Sequence, residues 1–191
     1  MLRALLVGVM TVVFSLPLVA GTLEGVTLPD TVSVNGVTLH LNGMGVRIKS
    51  VAFIKVKVYV AGLYLATPSK NPAAILAADE PRQLVMHFLY KEVEAAKLVE
   101  AWREGFANNS AAALPALKAR LDKFCALWPA MKSGETATLT YIPGQGTKVT
   151  IKGKEVGIIE GKDFADAIFA VWLGPKPPNP ELKQGLLGEK G

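Results

Sequence analysis

The side chains able to do chemistry in this 191-residue chain are few and scattered. Over residues 53–65, Ile54, Val56, Val58 and Val60 alternate with Lys55, Lys57, Tyr59 and Ala61, the period-two pattern of a strand. One face of that strand is expected to be apolar and the other to carry amines and a phenol. The two histidines, His40 and His87, are far apart, and neither has a carboxylate or cysteine at a ligand spacing, so no metal site is expected. No serine stands in a nucleophile elbow. The single cysteine, Cys125, falls on the apolar stripe of a helix pattern and reads as a buried structural thiol. Gly43-Met44-Gly45 lacks the third glycine and the following helix of a dinucleotide loop. No cofactor is expected.

The elements that would hold these groups follow from local pattern. Val32, Val34, Val37 and Leu39 flank Asn35-Gly36, a tight-hairpin signal. Pro68, Pro72 and Pro81 bracket a segment long enough for a turn or two of helix, and residues 83–90 read as a further strand. Ala95, Leu98, Val99, Trp102 and Phe106 lie on one helical stripe. Ser110 is placed to cap a second helix through Leu114, Leu117, Leu121, Phe124 and Trp128. Both helices are expected on one face of the sheet. Three short strands, over 136–142, 147–152 and 155–159, are separated by turn residues and predict an antiparallel meander. A last amphipathic helix over 162–173 is stopped by Gly174-Pro175, and a proline-rich tail follows. Strand clusters around a helical block point to an α+β fold with helices gathered on an antiparallel sheet.

Bulk properties narrow the setting. Residues 1–21 open with Met1-Leu2-Arg3, run apolar from 4 to 16 and leave through Pro17-Leu18-Val19-Ala20-Gly21, the plan of a secretory signal peptide. The apolar run falls short of the roughly 20 residues that a helix needs to span a bilayer, and an uncleaved anchor is the alternative. Residues 22–191 suit a single domain, expected in the periplasm or secreted. One cysteine rules out an intramolecular disulfide. The net charge of +5, dispersed along the chain, suits an anionic ligand or peripheral contact with a membrane surface. No basic cluster is interleaved with aromatics, so no nucleic-acid partner is expected.

Two stretches carry a family resemblance. Gly43-Met44-Gly45-Val46-Arg47-Ile48-Lys49, a small-residue turn followed by an arginine, precedes a strand ending Gly62-Leu63-Tyr64, with the Arg47 to Lys57 spacing free of gaps. Trp172-Leu173-Gly174 and Asn179-Pro180-Glu181-Leu182-Lys183 close the chain in order. Together they resemble the chalcone-isomerase-like superfamily over residues 28–187. The resemblance implies an open-faced β-sandwich, a large antiparallel sheet with a layer of helices and the ligand in a cleft between them. In the plant isomerases the arginine matching Arg47 holds the developing phenolate or enolate. Their threonine position falls on the larger Tyr59, and their catalytic tyrosine has no counterpart, Tyr90 being close but out of register. A missing donor costs such a cyclisation orders of magnitude. What remains is one guanidinium, suited to a bidentate carboxylate pair, beside phenols and an apolar wall, as in the fatty-acid-binding relatives.

The leading expectation is therefore an exported, non-catalytic binder of a small acidic lipid-like ligand held by Arg47. Tyr59, Lys57 and Tyr90 are the other candidate contacts, with Tyr64 a weaker one. The alternatives are an intramolecular lyase acting on a chalcone-like enone, with Arg47 as electrophile and Tyr59 or Tyr90 as proton relay, and an interaction module with no internal ligand.

Overall fold

The structure, a computed structural model, describes residues 19–189. In chain order its elements are β1 (Val19–Leu23), β2 (Val26–Pro29), β3 (Thr31–Val34), β4 (Val37–Val51), β5 (Ile54–Leu65), α1 (Pro72–Ala77), β6 (Arg82–Phe88), β7 (Glu92–Val93), α2 (Ala95–Asn109), α3 (Leu114–Ala126), β8 (Met131–Lys132), β9 (Thr136–Ile142), β10 (Gly146–Ile151), β11 (Lys154–Ile159), α4 (Lys162–Leu173) and α5 (Pro180–Leu186). The expected signal peptide lies outside the described residues except for its last three, which belong to β1 and pair with β2. The Asn35-Gly36 signal forms the β3–β4 hairpin, with φ of 48° and 81°. Both central residues of this turn need positive φ, and Asn and Gly tolerate it best.

Seven strands make one antiparallel sheet in the order β11-β10-β9-β6-β5-β4-β3. Neighbours in space are neighbours in sequence except for β6 and β9, between which the chain inserts α2, α3 and the small β7–β8 pair. The helices cover one face. There, Tyr59, Ala61, Leu63 and Leu65 of β5 and Leu84, Met86 and Phe88 of β6 meet Phe164, Ile168 and Trp172 of α4 and Trp102 and Phe106 of α2. α4 is buried on nearly all sides, since it touches the sheet, α1, α2 and α5. On the other face the β1–β2 hairpin lays Val26 and Leu28 over Val60 and Tyr64. Beyond Tyr59, then, both faces of β5 are covered, and the expected division into an apolar and an amine-bearing face fails. Alternation reports which side chains share a face, not whether a second layer covers it.

Three other local readings change. Gly43-Met44-Gly45 lies inside the long strand β4 and not in a turn. Ser110 ends α2, its N–H bonding to the Phe106 carbonyl, while Ala113 occupies the start of α3 without a side-chain cap. The proline-rich tail leads into a helix, α5, docked on β4. Pro180 stands at its first turn, where a missing N–H costs nothing.

Candidate functional site

A bulge organises the site. Arg47 on β4 faces Tyr59 on β5, yet the next pair is Ile48 with Lys57, which leaves Val58 as an extra residue. Such an insertion re-aims the side chains beside it. Val58 and Tyr59, adjacent in sequence, both pack toward the helices. The same step turns Lys57 to the other face, where its ammonium pairs with Glu24 in the β1–β2 turn.

Beyond His40, β4 has no β3 partner, and the loop before α5 takes that place. The Asn179 side chain accepts the Ile48 N–H at 3.2 Å and donates to the Val46 carbonyl at 3.2 Å, as a neighbouring strand would. The Arg47 Nη1 donates to the carbonyls of Ile48 and Pro178, the latter at 3.1 Å, and reaches Asn179 Oδ1 at 3.5 Å. Its acceptors are all neutral. Among the described residues no carboxylate pairs with Arg47, and its Nη2 and Nε have no partner. One end of the guanidinium is anchored and the other edge is open to accept a carboxylate side-on.

Tyr59 is buried, its ring edge-on to Phe88 at 5.6 Å. The indole N–H of Trp172 donates to its hydroxyl at 3.0 Å. Indole is a donor only, so the phenol's own proton is left to donate elsewhere. Burial raises the Tyr59 pKa above its ordinary value, against the Trp172 bond and the Arg47 charge, which lower it. The phenol is consequently a neutral donor at physiological pH and a poor base.

Arg47 and Tyr59 open on a cavity of about 190 Å³ between the sheet and α2. Val58, Leu98, Trp102 and Val171 give it an apolar lining, while Lys49, Lys97 and Lys176 stand around it with one carboxylate, Glu104. Further inward, Trp102 contacts Trp128, Trp172 and Phe124 at ring separations of 4.8 to 5.7 Å, which closes the interior. The Trp102 N–H is buried without a partner among the described residues. A volume below the ~300–1,000 Å³ of drug-sized sites admits an acid group and a short apolar stem. To bury a longer chain, α2 would have to part from α4, where Gly105 lies against Val171.

Of the candidate contacts, the structure brings together Arg47 and Tyr59 and separates the others from them. Lys57 is on the opposite face. Tyr90 is about half exposed, lies outside the cavity lining, and meets β5 through its backbone N–H on the Val58 carbonyl at 3.2 Å. Tyr64 donates to the Pro29 carbonyl at 2.9 Å under the hairpin, its pKa pushed up to about 12 by burial and then by Asp30. The contributions of Asn179, Trp172 and Trp102 were not anticipated as site residues: the tryptophans read as core by their spacing, and nothing local links Asn179 to a strand. Among the described residues no group of three His, Cys, Asp or Glu side chains could hold a metal ion.

Comparison with known proteins agrees with the fold. The profile of the family described as chalcone isomerase-like matches residues 20–188. No curated protein matches the chain. Among solved structures, the crystal structure of a fatty-acid binding protein from Arabidopsis thaliana superposes with a TM-score of 0.68 at 18% identity, covering 86% of this chain and 93% of that one. At that identity the likeness is one of fold.

Proposed function

From the premise that this chain belongs to the chalcone isomerase-like family, we propose that it is a non-catalytic binding protein for a small amphipathic acid, a fatty acid by preference. The observation that carries the reading is Arg47: held by neutral acceptors, matched to no acid among the described residues, and placed beside a protonated phenol at the mouth of an apolar cavity. A carboxylate there gains a charge-assisted pair with the guanidinium and a hydrogen bond from Tyr59, while its stem replaces water on Leu98, Trp102 and Val171. The fatty-acid binding protein of similar fold adds support.

The test is a titration of delipidated protein with a series of acids from octanoate to palmitate, beside Arg47→Ala. Saturable binding should weaken at least about tenfold in the variant, or about 1.4 kcal/mol. The cavity volume also predicts that the gain per added carbon stops within the series. Equal affinity in both proteins would make Arg47 structural and end this reading.

The protein is further proposed to work outside the cytoplasm, on the strength of the leader pattern in residues 1–21. Amino-terminal sequencing of the protein recovered from a periplasmic extract should begin at Gly21 or Thr22. An intact Met1 in that fraction would contradict removal of the leader.

A further inference from the structure

The β4–β5 hairpin outruns the sheet. β3 leaves β4 at His40, and β6 pairs with β5 only as far as Tyr59, so apart from the Ile48 N–H on Asn179 the backbone of residues 48–57 forms a ribbon paired with itself. Four residue pairs at about 3.3 Å per residue carry it roughly 13 Å beyond its neighbours. At its tip the turn is Ala52-Phe53, with φ of 46° and 69°. Asn-Gly is the chemistry such a turn favours, and a bulky residue at positive φ is an outlier that local stability does not explain. Phe53 is completely exposed, at 105% of its reference area, and Ile54 follows at 67%. Behind them stand Lys49, Lys55 and Lys57, of which Lys57 is bridged to Glu24. From Asp30 to Asp79 the chain contains no acidic residue, while Arg47, Lys49, Lys55, Lys57 and Lys70 all fall in that interval.

We propose that this ribbon is a membrane-docking finger, inserting Phe53 and Ile54 into the interfacial layer of an anionic bilayer while Lys49 and Lys55 meet its headgroups. A bilayer suits the tip better than a protein does. Two apolar side chains fall far short of the roughly 800 Å² per partner that a stable protein interface buries. Combined with lysines, they match the mixture of apolar burial and attraction to anionic lipid that gives reversible surface binding. The lysines also discourage strand pairing with another chain along the open ribbon edges. Arg47 and Lys49, at the ribbon's base, line the cavity, so docking would present the cavity mouth to the lipid surface. The finger does not depend on the fatty-acid reading, since neither Phe53 nor Ile54 lines the cavity.

The test uses the full chain carrying Phe53→Trp, mixed with phosphatidylglycerol-containing vesicles whose acyl chains are brominated near the headgroup. The native tryptophans, Trp102, Trp128 and Trp172, are all buried and should be unaffected by the bromines. Emission from position 53 should shift to the blue and be quenched, and the effect should fall away with pure phosphatidylcholine or in about 0.5 M salt. Partition of Phe53→Ser/Ile54→Ser onto the anionic vesicles should weaken by at least about tenfold, with its octanoate affinity in solution unchanged. Local quenching separates the finger from any vesicle binding by the apolar run in residues 4–16. No quenching at position 53 would overturn the proposal. So would a blue shift that depends on protein concentration in the absence of lipid, which would identify a second copy of the chain as the occupant.

Discussion

Asp166→Ala should destabilise the protein by about 3 kcal/mol, a fall in melting temperature of roughly 6–12 °C for a chain of this size. The reason lies in Arg82, a residue 1% exposed at the far end of β6 from the proposed ligand site. Its Nη1 donates to the carbonyls of Ile75 and Ala78, each at 3.0 Å, and its Nη2 donates to Asp166 on α4. The guanidinium also stacks on Tyr141 at 4.8 Å and Phe169 at 4.9 Å. Only Asp166 balances its charge by a salt bridge among the described residues. Without it, a buried cation is left with carbonyls and ring faces, the situation that typically costs about 3–5 kcal/mol. The lower end applies because the Asp166 side chain is 34% exposed, so water can partly take its place.

Two comparisons sharpen that prediction. Lys162 also reaches Asp166, at 2.7 Å, but is itself a third exposed, and Lys162→Met should cost about 1 kcal/mol or less. Asp166→Asn, which keeps an acceptor for Nη2, should fall between the two. Urea unfolding of the three variants is the measurement. A loss below 1 kcal/mol in Asp166→Ala would mean that water solvates Arg82 well enough to make the ion pair dispensable.

Gly185→Ala should cost about as much for a purely steric reason. α5 lies on β4 so closely that a Cβ at Gly185 would collide with the Met44 carbonyl and come within 2.9 Å of the Gly45 Cα. The contact is reciprocal: a Cβ at Gly45 would stand 2.5 Å from the Leu182 carbonyl, and one at Gly43 would strike the Gly185 carbonyl. No rotamer change relieves a clash between two backbones, so the penalty belongs at the upper end of the overpacking range, about 3 kcal/mol. Helix propensity acts the other way, because alanine is favoured over glycine by about 1 kcal/mol within a helix. The sign of the change in thermal unfolding therefore discriminates: a raised melting temperature would show that α5 is not packed as described. Undocking α5 would also release Pro178 and Asn179 from Arg47, so the proposed acid binding should weaken in the same variant.

This contact explains a motif that the chain displays openly. Gly43-Met44-Gly45 is visible in the sequence as a small-residue signature, yet its purpose is to admit a helix that begins at Pro180. Nothing within a window around residue 44 contains that information. The same holds for Lys57, which period-two counting puts beside Tyr59. The extra residue at Val58 exists only in relation to β4, and one inserted residue exchanges the faces of everything before it. Arg82 likewise reads as an ordinary strand-end cation until α1 and α4 close over it.

The sequence by itself determined what depends on near neighbours: the Asn35-Gly36 hairpin, the strand Thr136–Ile142, the helix Lys162–Leu173, the α+β class, and the family to which Arg47 pointed. Only the tertiary structure decided which charges are neutralised and which remain open. Arg82 is paired by α4 and Lys57 by the β1–β2 turn, while Arg47 is anchored by carbonyls and left with one edge unoccupied. Strand and helix patterns act through near neighbours and repeat every two or 3.6 residues. The partner of a charge is instead chosen by whichever distant segment packs against it, and local periodicity carries no record of that choice.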